Sequence, residues 1–129
     1  MTTVAAIAVV LVRWRPSRIE IEGASMVPTL MPGDWALVVD GRRPRRGDVV
    51  VVEHPGRPGY EIVKRIIGVP GDRMGDRSLT DDEFWVEGDR RDASTDSRQF
   101  GPVRREHLKA RVVVIYWPKE RRRRIGRRS

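Results

Sequence analysis

The chain has 129 residues, no cysteine and a formal net charge of +8. That length suits one domain with a modest core, and the missing cysteine excludes a thiol nucleophile, an iron–sulfur cluster and disulfide staples. Most of the charge excess sits in residues 119–129, which hold seven basic side chains against one acid. Such a run reads as a solvated basic tail or a loose contact with anionic lipid or RNA, and specific nucleic-acid binding is not expected.

In chain order, the first element is the apolar run Val4 to Val12 within residues 1–18. It is shorter than the roughly 20 residues a bilayer span needs. No charge precedes it in the sequence and no small-residue cleavage pattern follows, so it does not read as a secretory leader. A short membrane anchor, a helix packed on the domain and the end of a longer span all remain open.

Residues 19–118 change character. Ile19 to Glu22, Trp35 to Val39, Val49 to Val52, Ile62 to Val69, Phe84 to Val86 and Val112 to Tyr116 are short runs rich in strand-forming residues. Pro32-Gly33-Asp34, Arg46-Gly47-Asp48, Pro55-Gly56, Pro58-Gly59, Pro70-Gly71-Asp72 and Gly88-Asp89 punctuate them as turns. This spacing predicts a mainly β domain of short antiparallel strands. Residues 73–83 and 90–99 read as loops, and Arg104 to Leu108 as at most one helical turn. No phosphate-binding glycine loop and no internal repeat is present.

Ser25 lies in Gly23-Ala24-Ser25-Met26-Val27-Pro28. Gly23 permits a sharp corner, and Pro28 restricts the residue before it. A hydroxyl at such a corner is accessible, although an ordinary turn serine has the same local sequence. As a nucleophile it needs a base. His54 and His107 both sit in polar turn-like surroundings with no mark of an oriented base. Lys64 lies on a strand with Ile62 and Ile66 on its own face. Burial against those side chains disfavours the ammonium, and a neutral lysine accepts a proton. The alternative is a lysine whose stem lies on the isoleucines while its head reaches water.

Taken together, three blocks resemble the type I signal peptidases, the Ser/Lys proteases of the S26 type. They are Ser25-Met26-Val27-Pro28-Thr29-Leu30, then Val63 to Asp72, then Val86 to Arg98, with Arg46-Gly47-Asp48 as a further connector. The resemblance implies a signal-peptidase-like β domain, related to that of self-cleaving repressors, behind a short apolar N-terminal helix. It implies Ser25 as nucleophile and Lys64 as general base. It also implies that Ser94 orients the lysine, that Asp96 and Arg98 form a supporting ion pair, and that Met26 packs against the dyad. Where some members carry a serine that donates to the oxyanion, this chain has Gly23. Where asparagine is frequent, it has Arg90. The segment between the second and third blocks is short, as in the minimal form of the family.

The resemblance further implies a precursor-protein substrate with small residues before the cut, and neither metal nor organic cofactor. A branch that trims a nickel superoxide dismutase precursor is an equally compatible activity, and a non-catalytic basic module on the same scaffold is the alternative from another class. Family habit places the domain outside a plasma membrane behind a single span. Arg13, Arg15 and Arg18 on the body's side of the apolar run would instead keep it cytoplasmic.

Overall fold

The computed structural model describes residues 17–127. The apolar run 4–12 lies outside them, and among the described residues no helix is long and apolar enough to cross a membrane.

The fold is mainly β, as the runs of strand-forming residues predict. Strands β1 (Ser17–Glu20), β2 (Trp35–Asp40), β3 (Val49–Glu53), β4 (Glu61–Gly68), β7 (Glu83–Glu87), β8 (Val103–Arg104) and β9 (Leu108–Trp117) form one antiparallel sheet in the order β1-β2-β9-β3-β4-β7-β8. The chain returns through β10 (Arg123–Arg124), which pairs with β9. A two-stranded hairpin, β5 (Arg73–Met74) with β6 (Arg77–Ser78), stands apart. The segment read as a loop over 73–83 thus contains this hairpin and the start of β7. The loop 90–99 contains a 3-10 turn at Arg91–Ala93 and the start of α1 (Ser97–Phe100), and the expected helical turn is a 3-10 turn at Arg105–His107.

The four consecutive valines of β3 explain how so small a domain is built. Successive side chains of a strand point to opposite faces. Val49 and Val51 enter a core with Ile21, Met26, Leu30, Val112 and Ile115, whereas Val50 and Val52 enter a second with Ile66, Phe84, Val86, Val103 and Leu108. A strand buried on both sides is apolar throughout instead of alternating. The first core anchors the Ser25 corner, because Met26 and Leu30 are both inside it.

One turn recurs at the start of three strands. Asp34, Asp48 and Asp72 each donate a backbone N–H to the carbonyl three residues earlier, in Met31, Arg45 and Val69. Each carboxylate in turn accepts the N–H of that earlier residue, at 2.9, 2.8 and 2.9 Å. The glycine before each aspartate has φ near +90° (92, 94 and 91°), a conformation that glycine alone adopts without strain. An arginine then covers each carboxylate: Arg121 on Asp34, Arg127 on Asp48 and Arg46 on Asp72.

Two of those arginines belong to the segment expected to be a solvated tail. Residues 119–127 instead lie against the body. Ile125 is buried, Arg123 donates to the Thr29 carbonyl, and Arg121 grips both oxygens of Asp34 at 2.7 and 2.9 Å. Burial pushes the Asp34 carboxyl up, but Arg121 and the Met31 N–H outweigh it and hold Asp34 below its ordinary range. Arg121→Ala removes the charged partner of a buried carboxylate, and the expected cost is about 1–3 kcal/mol. Urea denaturation should show a lower midpoint with an unchanged slope.

Candidate active site

The Ser25 corner is fixed from two sides. Gly23, with φ of 76°, turns the chain out of Ile21 and Glu22, and the Val27 N–H donates to the Ala24 carbonyl at 3.2 Å. Across the cleft the Arg90 N–H donates to the Ser25 carbonyl at 2.8 Å, so the loop after β7 holds the Ser25 backbone. Ser25 and Lys64 line one cleft of about 480 Å³, together with Glu20, Glu22, Ile62 and Ala93.

Lys64 comes from the middle of β4, opposite Val50 in the register, and is 4% exposed. Its Nζ donates to Ser94 Oγ at 3.0 Å, and Ser94 Oγ donates to Asp96 Oδ2 at 2.7 Å. Asp96 is fully buried. It also accepts the Gly88 N–H at 2.9 Å and the Arg98 N–H at 3.1 Å, and takes the Arg98 guanidinium on both oxygens at 2.9 and 2.8 Å. Asp96 is the N-cap of α1, and Gln99 returns a bond to its backbone N–H. This reciprocal cap rigidifies the turn from which both Ser94 and Arg98 hang.

The charges follow from this arrangement. Burial alone would raise the Asp96 carboxyl, but the bonds from Arg98, Gly88 and Ser94 hold it at about 2. Burial lowers the Lys64 ammonium below its ordinary value; the Asp96 charge partly opposes this, and the Arg98 charge adds to it. The net effect makes a neutral lysine easier to reach than in water.

The fold therefore brings together Ser25, Lys64, Ser94, Asp96 and Arg98, while Met26 is 2% exposed in the first core beneath the corner. Among the described residues Lys64 bonds to Ser94 and not to Ser25. His54 lines the same cleft, with its Nδ1 accepting the Gly56 N–H at 3.0 Å and its ring against Phe100. His107 lies elsewhere, capping its own turn by accepting the Arg104 N–H.

A second buried pair escaped the reading of the sequence. Arg65, next to Lys64, meets Asp89 through two bonds of 2.8 and 2.7 Å and donates to the Gly47 carbonyl at 2.7 Å. Thr29 Oγ1 also donates to Asp89, at 2.5 Å. This junction ties β4 to both the Ser25 loop and the Gly88 loop. The only sequence signal was a second charged residue inside the apolar run of β4, with no indication of its partner.

The family profile described as Signal peptidase, peptidase S26 matches residues 1–76 and 73–117. The chain belongs to this family. Among curated S26-like relatives, mitochondrial inner membrane protease subunit 2 of Danio rerio is 37% identical over 121 residues, covering 81% of this chain and 66% of its own length. Mitochondrial ATP-independent inner membrane protease subunit 1a of Arabidopsis thaliana is 36% identical over 125 residues, covering 84% and 74%. Mitochondrial inner membrane protease subunit 1 of Xenopus tropicalis is 34% identical over 112 residues, covering 76% and 67%. The chain thus spans about two thirds to three quarters of the length of these relatives.

In this S26 chain Gly88 is where the two halves of the site meet. A Cβ there would stand 2.3 Å from Ser94 Oγ and 2.6 Å from the Ser25 carbonyl oxygen, and the second of these is backbone. Gly88→Ala must displace Ser25, Ser94 or both. We expect a loss of about 1–3 kcal/mol in stability, the usual cost of overpacking. In a peptide-cleavage assay kcat should fall more than KM rises.

Proposed function

We propose that this chain is a serine endopeptidase in which Ser25 attacks the scissile carbonyl of a precursor protein, Lys64 serves as general base, and the product is a protein freed of its leader segment. The observation that carries this reading is a buried lysine that shares a cleft with an accessible serine corner and is held by Ser94 and Asp96.

The chemistry needs Lys64 neutral. It then accepts the Ser25 hydroxyl proton as the Ser25 Oγ–carbon bond forms, and the tetrahedral intermediate collapses to an acyl-enzyme as the leaving amine takes that proton. Lys64 next deprotonates the water that releases the acyl group. In this reading, as the family resemblance implies, the Ser25 N–H serves the oxyanion, and Gly23 offers no side-chain hydroxyl there, so one donor fewer is available than in members with serine at that position. Gly23, Ala24 and Ala93 form part of the cleft wall, and the preference for small residues before the cut is carried over from the family resemblance. The curated relatives are named as inner membrane proteases, and with the apolar run 4–12 this supports action at a membrane.

Cleavage of a preprotein by purified full-length chain tests the assignment. Ser25→Ala and Lys64→Ala should each lower kcat/KM by at least about a thousandfold, as loss of a nucleophile or its base does elsewhere, with the circular dichroism spectrum unchanged. Activity retained in Ser25→Ala removes the mechanism, and loss in His54→Ala with Lys64→Ala active moves the base to the histidine.

The pH profile carries a sign. The acid limb of kcat/KM should report deprotonation of Lys64, with activity rising as pH rises through its lowered pKa. Arg98 pushes that pKa down and also neutralises Asp96. Arg98→Gln should therefore move the acid limb to higher pH, and a limb that stays in place would mean that another group sets it.

A further inference from the structure

Away from the cleft, the loop between β2 and β3 and the near end of β9 enclose a second cavity of about 590 Å³. Six arginines line it: Arg42, Arg43, Arg45, Arg105, Arg111 and Arg127. Its two carboxylates, Asp40 and Asp48, are already engaged. Asp40 pairs with Arg42, while Asp48 takes Arg127 at 2.8 Å and the Arg45 N–H at 2.8 Å. Arg105 is occupied too, donating to the Arg42 carbonyl at 2.6 Å and lying over the Phe84 ring. Among the described residues the guanidiniums of Arg43, Arg45 and Arg111 have no partner, and Arg111 is half-buried. The loop cannot swing away to relieve the repulsion without giving up tight packing. A Cβ on Gly41 would stand 2.3 Å from the Ala110 backbone, so the loop is seated directly on β9.

The position of the cavity suggests its occupant. Ser17, the first described residue, is in register with Val38, which pairs with Val112, the neighbour of Arg111. Two strand spacings, about 10 Å, thus separate the cavity's inner arginine from the point where the chain arrives from its apolar N-terminal run. A membrane engaged by that run would bring its headgroups to this end of the sheet. Guanidinium forks match phosphate oxygens in geometry as well as charge, and basic groups near an anionic bilayer surface each add to binding.

We propose that this arginine cavity binds the phosphate headgroup of an anionic phospholipid. The proposal rests on the membrane part of the functional reading and not on the peptidase chemistry, and its test reads binding alone.

The test uses the full chain in a nonionic maltoside detergent at low salt, titrated with short-chain phosphatidylglycerol, short-chain phosphatidylcholine or inorganic phosphate. Thermal unfolding gives the readout. Phosphatidylglycerol should raise the unfolding midpoint by several degrees, as a ligand of the folded state does, and 0.5 M NaCl should largely suppress the shift. The Arg43→Gln/Arg111→Gln double variant should bind about 30-fold more weakly, with its lipid-free midpoint near that of the parent. If the double variant is itself unstable, the exposed Arg45→Gln should still reduce the shift. An equal shift with phosphatidylcholine overturns the charge argument, and an equal shift with inorganic phosphate overturns the lipid assignment. An undiminished shift in a stable variant overturns the site.

Discussion

The candidate site depends on one buried carboxylate. Asp96 accepts from the Gly88 backbone, the Ser94 hydroxyl and the Arg98 guanidinium, and it caps the short helix that follows it. A buried charge is tolerable only when its oxygens are satisfied, and here each bond that satisfies them also places a part of the site. The Ser94 hydroxyl gives its proton to Asp96, which leaves its oxygen to accept from Lys64. The Gly88 bond brings the loop after β7 against Ser25. Neutralisation by Arg98 limits how far the Asp96 charge restores the ammonium of Lys64. The lysine is thus oriented by a chain that ends in an anion, while its burial and the nearby guanidinium still favour the neutral form.

Strand β4 carries the second constraint. Lys64 and Arg65 are adjacent, so they leave the strand on opposite sides. Lys64 serves the cleft, whereas Arg65 is committed to Asp89 and Gly47. Breaking such a buried pair would strand a charge, and this pair also engages Thr29 of the Ser25 loop. Any slip of β4 by one residue would exchange the two cations and destroy both arrangements. The register of this strand is therefore specified by charge as well as by the flanking isoleucines.

The sequence made some of this legible and hid the rest for physical reasons. β2, β3, β4, β7 and β9 were visible because runs of valine, isoleucine and aromatic residues bounded by glycine turns have few other conformations. The two-residue strands β5, β6, β8 and β10 lack the length for any pattern to emerge. Within the site, the neighbours of Lys64 were readable from period-two alternation, but the connection of Ser94 and Asp96 to it was available only through resemblance to a family. The Arg65–Asp89 pair joins residues 24 positions apart, and no local pattern encodes such a partner.

The arginine-rich end of the chain shows most clearly where composition misleads. A basic run reads as solvated because isolated cations gain little from exposed contacts. Its targets, however, are not exposed. Asp34 and Asp48 are 1% and 4% exposed and are held in tight turns that launch β2 and β3. A buried carboxylate that already bonds to a backbone N–H still has oxygen lone pairs to fill, and an arginine fork fills them. Arg121 and Arg127 therefore act as covers for turns formed about eighty residues earlier in the chain. A domain too small for a large core gains from such long-range pairs. They tie residues 121 and 127 to the turns that set where β2 and β3 begin, and Arg123 between them donates to the Thr29 carbonyl and so reaches the loop that presents Ser25.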